Sequence, residues 1–149
     1  MIYVSSPYTS ADAATVEYRV TAVEMFTGEL LRRGVTAFSP IAHSHRIAKS
    51  ANPPLPTAWE WWRKHDQEYI LSSGALVVLM LPGWQESKGV ADEIELAQRS
   101  QLPVLYFQVG GNLDLLAEEL KAAGNPLIAG IAVLRRLKFL NYHSLKTRS

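Results

Sequence analysis

A helical pattern places one glutamate close to the buried face of a predicted helix, where a charged carboxylate costs free energy. Residues 89–101 carry Val90 and Ala97 on one side of a predicted helix, and Glu95 falls on the opposite, solvent side. Glu93 lies at the edge of the apolar side, in the second turn. A carboxylate there needs a hydrogen-bonding or charged partner, or a function that accounts for its position. The positive end of the helix dipole favours its ionised form. Glu93 is therefore our candidate catalytic carboxylate, with a flanking surface glutamate as the plain alternative.

A hydroxyl, a cation and a glycine lead into the same helix. Ser87, Lys88 and Gly89 stand where the first backbone amides of a helix have no partner, which suits a phosphate group. Ser87 has an equally simple interpretation as the N-cap of that helix. Both roles for Ser87, phosphate contact and helix cap, stay open on the sequence.

Two histidines, His43 and His45, fall in a stretch that we predict to be a polar loop, residues 39–56. On an extended loop they would point the same way, as two ligands of a metal site do. No third ligand presents itself, since His65 is predicted on a helix and His143 in the tail. We therefore expect no metal and no other cofactor. The pair is assigned to base or phosphate contact, with a solvated loop as the alternative.

Several segments resemble the nucleoside 2-deoxyribosyltransferase superfamily. Ser87-Lys-Gly-Val-Ala-Asp-Glu-Ile-Glu-Leu-Ala97 is similar to its motif, in which a glycine precedes the nucleophilic glutamate by four residues. It is closer still to the (deoxy)nucleoside 5′-monophosphate N-glycosidases, where a serine two residues before that glycine contacts the 5′-phosphate. Tyr3-Val-Ser-Ser-Pro-Tyr8 resembles the first strand and ligand loop, and Asp66 resembles an aspartate close to the nucleophile. The resemblance extends over about residues 1–107.

The resemblance implies an enzyme that hydrolyses the N-glycosidic bond of a nucleoside 5′-monophosphate and releases base and sugar phosphate. It implies Glu93 as the nucleophile. Asp66 would protonate the departing base or tune Glu93 as a like-charged neighbour. Tyr8 is the candidate to hold Glu93 through its phenol, although an isolated tyrosine is more often packing. Further candidate substrate contacts, besides Ser87, Gly89 and the two histidines, are Ser5, Ser6 and Arg19.

Two other functions fit the same residues. A deoxyribosyltransferase would pass the sugar to a second base instead of to water. A nucleotide-binding regulatory domain would use the same fold without chemistry, and it would not need the Glu93 carboxylate beneath its ligand. The chain also departs from the family pattern, with Glu95 where glycine is frequent and Ser73-Gly74 where alanine-aspartate is frequent.

Alternating strands and helices are predicted to carry these residues. The predicted strands are 2–4, 35–38, 75–81 and 103–107, and the predicted helices are 13–33, 58–72, 89–101 and 113–123. This order predicts right-handed crossovers and a mostly parallel sheet flanked by helices, a three-layer flavodoxin-like or Rossmann-like α/β domain. Ligands bind beyond the carboxyl ends of such strands, here residues 5–9, 39–45 and 82–87.

Length and composition limit the number of domains, the classes of binding partner and the cellular location that we expect. The 149 residues suit one domain, with a core of about 1–124 and an extension at 125–149. No cysteine is present, which excludes disulfides and thiolate metal sites. A formal net charge of +1 produces no strong positive potential that would attract a nucleic acid polymer. No apolar run is long enough to span a bilayer. We expect a cytoplasmic protein with a nucleotide or nucleoside as its small-molecule partner.

Three tryptophans, Trp59, Trp61 and Trp62, crowd the start of one predicted helix. Side chains at such spacings cannot all face one way. At least one is therefore expected to be exposed, stacked on a base, or buried at a subunit contact. We favour the subunit contact, because the resemblance implies a homodimer or a higher homo-oligomer.

Overall fold

Strands and helices alternate along residues 1–124, which are the residues that the computed structural model of the protein describes. The strands are β1 (Ile2–Ser5), β2 (Ala37–Phe38), β3 (Ala75–Met80) and β4 (Val104–Gln108). The helices are α1 (Ala13–Arg32), α2 (Pro40–Ser50), α3 (Trp59–Leu71), α4 (Lys88–Arg99) and α5 (Leu113–Ala123). None of these helices, within residues 1–124, is long and apolar enough to cross a membrane. The predicted extension at 125–149 lies outside the described residues.

The strands form one parallel sheet in the order β2-β1-β3-β4. In the register of the two central strands, Tyr3 pairs with Leu76 and Ser5 with Val78. The chain leaves β1 for β2 on one side and later returns to β3 on the other side. A topological switch point therefore lies between the carboxyl ends of β1 and β3, where ligands of such folds bind. The predicted three-layer, flavodoxin-like α/β architecture is confirmed.

Alternation along β1 divides its side chains between the two faces of the sheet. Ile2 and Val4 belong to the larger core cluster, which α1 and α5 cover. Tyr3 points to the other face and packs in a cluster with Val90 of α4. Ser5 shares the side of Tyr3 and is fully buried. The strand therefore aims two hydroxyl groups at the layer formed by α3 and α4.

The segment after β2 is helical where we predicted a polar loop. α2 begins at Pro40, and the Ser39 hydroxyl caps it by accepting a hydrogen bond from the Ala42 amide at 3.2 Å. Proline suits the first helical position because its missing N–H would have no partner there. The dipeptide Ser39-Pro40 thus starts a helix as well as ending a strand. The loop prediction is wrong over residues 40–50, because the buried face of α2, which includes Ile41, holds this segment against the core. Residues 51–56 lack regular structure, as predicted.

The second strand is shorter than predicted, and the end of α1 explains why. The Val35 amide donates to the Leu30 carbonyl at 3.0 Å and so closes the helix instead of joining the sheet. Gly34 adopts a φ of +76°, the left-handed conformation expected of a residue that follows a helix C-terminus. Only Ala37–Phe38 remain to pair with β1.

Candidate active site

A cavity of about 830 Å³ opens at the switch point of the sheet. Its walls come from the loop after β1, from α2, from the start of α3, and from the loop that leads into α4. Eight of the ten predicted site residues line it: Ser6, Tyr8, Arg19, His45, Asp66, Ser87, Gly89 and Glu93. The cavity therefore brings together most of the residues that the sequence singled out.

Glu93 is a buried carboxylate held by two hydroxyl groups. The Tyr3 phenol donates to Oε1 at 2.7 Å, and the Ser5 hydroxyl donates to Oε2 at 2.5 Å. The side chain is only slightly exposed, since the residue retains 8 % of its accessible surface. Burial raises the pKa of Glu93 to about 7, against the lowering effect of the hydrogen bonds from Ser5 and Tyr3. The carboxyl group is thus oriented, and it titrates near neutral pH.

Asp66 is a second acidic group of the same cavity. It lies on the buried side of α3, and burial raises its pKa to about 6, with a smaller opposing effect from His65. Its negative charge in turn contributes to the raised pKa of Glu93. Two neighbouring carboxyl groups whose pKa values are both raised towards neutrality are typical of acid–base sites.

Tyr3 takes the role that we predicted for Tyr8. The Tyr8 hydroxyl lies 3.0 Å from Nδ1 of His45, whereas the phenol that reaches Glu93 is that of Tyr3. Burial, followed by the Glu93 charge, raises the pKa of Tyr3 well above its ordinary value, so this phenol stays a donor. The period of two along a strand puts residues 3 and 5 on one side of the sheet, but it does not show that α4 and Glu93 lie on that side.

The two histidines are separated by the helix that carries them. Residues two apart on an α-helix diverge by about 200°, so the same-side arrangement expected of an extended loop is wrong. His45 is buried and lines the cavity, whereas His43 is exposed beside the rings of Phe38 and Tyr69. Within residues 1–124, no group of three or more His, Cys, Asp or Glu side chains is arranged to hold a metal ion.

Two buried donors at the cavity have no hydrogen-bond partner among the described residues. They are the Ser6 hydroxyl and the Trp59 indole N–H. Buried polar groups are nearly always paired, so each of these has capacity for a ligand or an ordered water. Ser5 differs from its neighbour, because its hydroxyl is committed to Glu93.

Arg19 joins the two loops at the mouth of the cavity. Its guanidinium donates to the carbonyl of Thr9 at 2.7 Å and to the carbonyl of Pro82 at 2.8 Å. Gly83, with a φ of +85°, leaves room for this arrangement, because a Cβ there would lie 2.7 Å from Nη2 of Arg19. Both terminal nitrogens of Arg19 therefore have protein partners in addition to any ligand role.

The entrance to α4 is built around Trp59. The Ser87 hydroxyl caps the helix by accepting from the Val90 amide at 3.4 Å, so its own hydrogen remains free to donate. A Cβ at Gly89 would lie 2.9 Å from Cδ1 of Trp59, which explains the glycine. Lys88 stands over the Trp59 ring, 5.2 Å from its centre.

The tryptophan cluster divides between the cavity and the surface. Trp59 and Trp62 line the cavity, and the indole N–H of Trp62 donates to the Pro56 carbonyl at 2.7 Å. Trp61 is 39 % exposed. At least one tryptophan is thus exposed, as the spacing predicted, and the subunit contact stays a prediction.

The match to known sequences covers this entire cavity. Residues 1–109 match the profile of a family described as "Domain of unknown function (DUF1937)". The chain belongs to this family. The matched part of the DUF1937 protein contains all four strands, Asp66 and Glu93. No curated protein matches the chain.

Proposed function

We propose that this DUF1937 protein hydrolyses the N-glycosidic bond of a (deoxy)nucleoside 5′-monophosphate, with Glu93 as the nucleophile. The observation that carries the proposal is the Glu93 carboxylate, buried at the cavity and held at both oxygens by Tyr3 and Ser5. Burying a carboxylate costs free energy that hydrogen bonds offset only in part, and the raised pKa of Glu93 reflects this cost, which favours a functional role over a structural one. The resemblance to the nucleoside 2-deoxyribosyltransferase superfamily supplies the reaction class.

Breaking an N-glycosidic bond develops positive charge at the anomeric carbon, which a carboxylate stabilises or captures. In the proposed reaction a Glu93 oxygen bonds to this carbon while the bond to the base breaks. The base leaves with the bonding electrons and takes up a proton. Water then attacks the same carbon, the glutamyl ester bond breaks, and the carboxylate is restored as the water proton is released. The products are free base and sugar phosphate.

Asp66 has two roles in this scheme that its raised pKa supports equally. With a pKa of about 6, a fraction of Asp66 is protonated near neutral pH and can donate to the departing base. In its ionised form it repels the charge of Glu93 and raises the pKa of that group. The two roles differ in the pH profile of an Asp66→Asn variant.

The proposed phosphate position is the mouth of α4. The hydroxyl groups of Ser6 and Ser87 each have a hydrogen to donate, and the first amides of α4 have no partner inside the helix. Lys88 lines the same part of the cavity, although it also faces Glu60 at 3.5 Å. These donors support an anionic group on the sugar.

One observation favours a deoxyribosyltransferase, or an enzyme of unphosphorylated nucleosides, as the second candidate. The carboxylates that line the cavity outnumber its two permanent cations, Arg19 and Lys88. The carboxylates are those of Glu60, Asp66, Glu86 and Glu93. A neutral nucleoside would meet less repulsion in such a cavity than a phosphate dianion. In this reading a second base, not water, receives the sugar from Glu93.

A substrate panel tests the proposal directly. The protein is incubated with nucleosides and nucleoside 5′-monophosphates, and free base is measured by chromatography. We expect base from a monophosphate without any added second base, and none from Glu93→Gln. Glu95→Gln is the matched control, because Glu95 is exposed on the same helix and paired with Arg99 at 2.6 Å. Base release by a folded Glu93→Gln protein would contradict the proposal.

Adding a labelled free base to the reaction shows whether water or a second base accepts the sugar. Incorporation of the label into nucleoside or nucleotide would favour the transferase. Tight binding of a nucleotide with no base release would favour the regulatory domain, because only that function has no use for Glu93.

We also propose that the protein forms a homodimer or a higher homo-oligomer through a contact at Trp61. The exposed Trp61 packs edge to face against Trp62, with ring centres 4.7 Å apart, and offers an aromatic surface beside the cavity. We expect light scattering to give the mass of a dimer or larger oligomer, and Trp61→Ala to lower it. A monomer in both proteins would exclude this contact.

A further inference from the structure

Four side chains form a continuous array from the surface to the cavity. Glu17 accepts from Nζ of Lys49 at 2.8 Å, and the same Nζ lies 2.9 Å from Nε2 of His45. On the other side of the imidazole ring, Nδ1 of His45 lies 3.0 Å from the Tyr8 hydroxyl. Tyr8 and His45 line the cavity, whereas Glu17 and Lys49 are more than half exposed. The proposed chemistry at Glu93 uses none of these contacts.

The hydrogen-bonding capacity of Lys49 decides which nitrogen of His45 carries the proton. An ammonium group has three donors and no acceptor, so Nε2 must accept from it. The proton of the neutral ring then sits on Nδ1 and is donated to the Tyr8 oxygen. Glu17 lies 3.3 Å from Nε2, farther than Lys49 does, and it keeps the ammonium in place.

This direction leaves the Tyr8 hydrogen free. The phenolic oxygen already accepts from His45, and in residues 1–124 no other side chain is within hydrogen-bond distance of it. Burial raises the pKa of Tyr8 above its ordinary value, an effect that Lys49 opposes, so the phenol keeps its proton at neutral pH. A ligand acceptor in the cavity would complete the array.

We infer that Tyr8 is a specificity-determining hydrogen-bond donor to a ligand acceptor on the α2 side of the cavity. His45, Lys49 and Glu17 are positioning residues, because they act on the ligand only through the direction of the Tyr8 hydroxyl. From the Lys49 ammonium inwards, both contacts point towards the cavity: Lys49 donates to His45, and His45 donates to Tyr8.

The surroundings of Tyr8 suit a planar base better than a phosphate. α2 contributes Pro40, Ile41 and Ala48 to the cavity wall that carries His45. The mouth of α4 follows β3, and β1 lies between β2 and β3 in the sheet, so the two helices border different ends of the cavity. We therefore assign the acceptor to a carbonyl oxygen or an unprotonated ring nitrogen of a nucleobase, an assignment that rests on the proposed function.

The direction of the array is tested on the protein without ligand. Long-range nitrogen–proton correlation NMR distinguishes the two tautomers of histidine, and His45→Gln assigns the signal. We expect the Nδ1-protonated form in the parent protein. Lys49→Met, which keeps the apolar stem and removes the ammonium, should populate the Nε2-protonated form. An Nε2-protonated or doubly protonated His45 in the parent protein would overturn the inference.

Recognition of the base is tested by calorimetry in the Glu93→Gln background. The probes are the common 2′-deoxynucleoside 5′-monophosphates, and 2-deoxyribose 5-phosphate is the control that lacks a base. Tyr8→Phe should weaken the tightest-binding monophosphate by about three- to tenfold and leave the sugar phosphate unchanged, because one net hydrogen bond is lost. Lys49→Met should weaken the same monophosphate by less, and adding it to Tyr8→Phe should have no further effect.

An equal loss for the monophosphate and the sugar phosphate, or no loss in Tyr8→Phe, would overturn the base assignment. Absence of binding by every monophosphate would refute the proposed function together with the base assignment. The tautomer of His45 is measured without ligand, so it shows whether His45 donates to Tyr8 even if no monophosphate binds. Failure of the inference about Tyr8 is therefore distinguishable from failure of the proposed function.

Discussion

Tyr3 donates a hydrogen bond of 2.7 Å to Glu93, and so joins the first strand of the sheet to the fourth helix. Ser5, two residues further along the strand, bonds the other carboxylate oxygen. The geometry holds the carboxyl group in one orientation relative to the cavity.

Removal of the phenolic donor should lower activity and shift its pH dependence. Tyr3→Phe takes away a bond that stabilises the ionised carboxylate, so the pKa of Glu93 should rise and the acid limb of kcat/KM should move to higher pH. We expect roughly a tenfold loss of kcat at neutral pH, from a hydrogen bond to a charged group. Tyr18→Phe, an exposed tyrosine on α1, is the control. An unchanged pH profile would mean that Tyr3 supports packing only.

Neutralising Glu93 should stabilise the protein, and more so at high pH. Its folded pKa of about 7 exceeds the ordinary 4.5, so the folded state binds the proton more tightly and stability falls as pH rises through 7. Glu93→Gln escapes this loss. Its free energy of unfolding relative to the parent protein should increase by up to about 3 kcal/mol from the acid to the alkaline side of this range.

Urea denaturation at about pH 4.5 and at about pH 8 measures this difference, because the stability is lost between the ordinary pKa of 4.5 and the folded pKa of about 7. Glu95→Gln, exposed and outside the cavity, should show the same difference from the parent protein at both pH values. A Glu93→Gln effect that does not depend on pH would show that Glu93 ionises freely in the folded protein.

The Asp66→Asn variant distinguishes the two proposed roles of Asp66, raising the pKa of Glu93 and donating a proton to the base. Asp66 raises the pKa of Glu93 by charge repulsion, so Asp66→Asn should move the acid limb of kcat/KM to lower pH. If Asp66 also donates the proton to the base, kcat should fall by about a hundredfold or more, and least for substrates whose base leaves readily. A pH–rate profile across several substrates distinguishes tuning from proton donation. An unchanged acid limb would show that the two carboxyl groups are not coupled.

Gly89 should resist even the smallest substitution. The Cβ of Gly89→Ala would lie 2.9 Å from Cδ1 of Trp59, so the indole must move away from the mouth of α4. We expect a changed tryptophan fluorescence spectrum and a raised KM. Gly28→Ala is the matched control, since a Cβ at that position on α1 meets nothing within 4 Å. That control should stabilise α1 by up to about 1 kcal/mol.

Ser87→Ala should affect a monophosphate more than the corresponding nucleoside. Loss of a charge-assisted contact should raise the KM for the monophosphate about ten- to hundredfold. The same change removes the cap of α4, at about 1 kcal/mol of stability. Asn112→Ala removes the cap of α5 and controls for that loss outside the cavity. Equal effects on both substrates would refute the phosphate contact at Ser87.

The sequence alone determined the α/β class, the parallel sheet and the position of Glu93 on the buried side of its helix. These follow from local patterns, since apolar strands alternate with amphipathic helices and a period of 3.6 residues assigns each helical side chain to a face. The same patterns located the loops at the carboxyl ends of the strands. They did not recognise α2, because Ser39-Pro40 suits both the end of a strand and the start of a helix.

Only the tertiary structure decided which hydroxyl groups hold Glu93 and which histidine reaches the cavity. Tyr3 and Tyr8 are both plausible donors in the sequence, and the choice between them depends on the packing of β1 against α4. Likewise, His45 faces the cavity and His43 does not, because α2 turns them apart. Contacts between residues distant in the chain are set by how helices and strands pack, and periodicity within one segment carries no information about its partner in another.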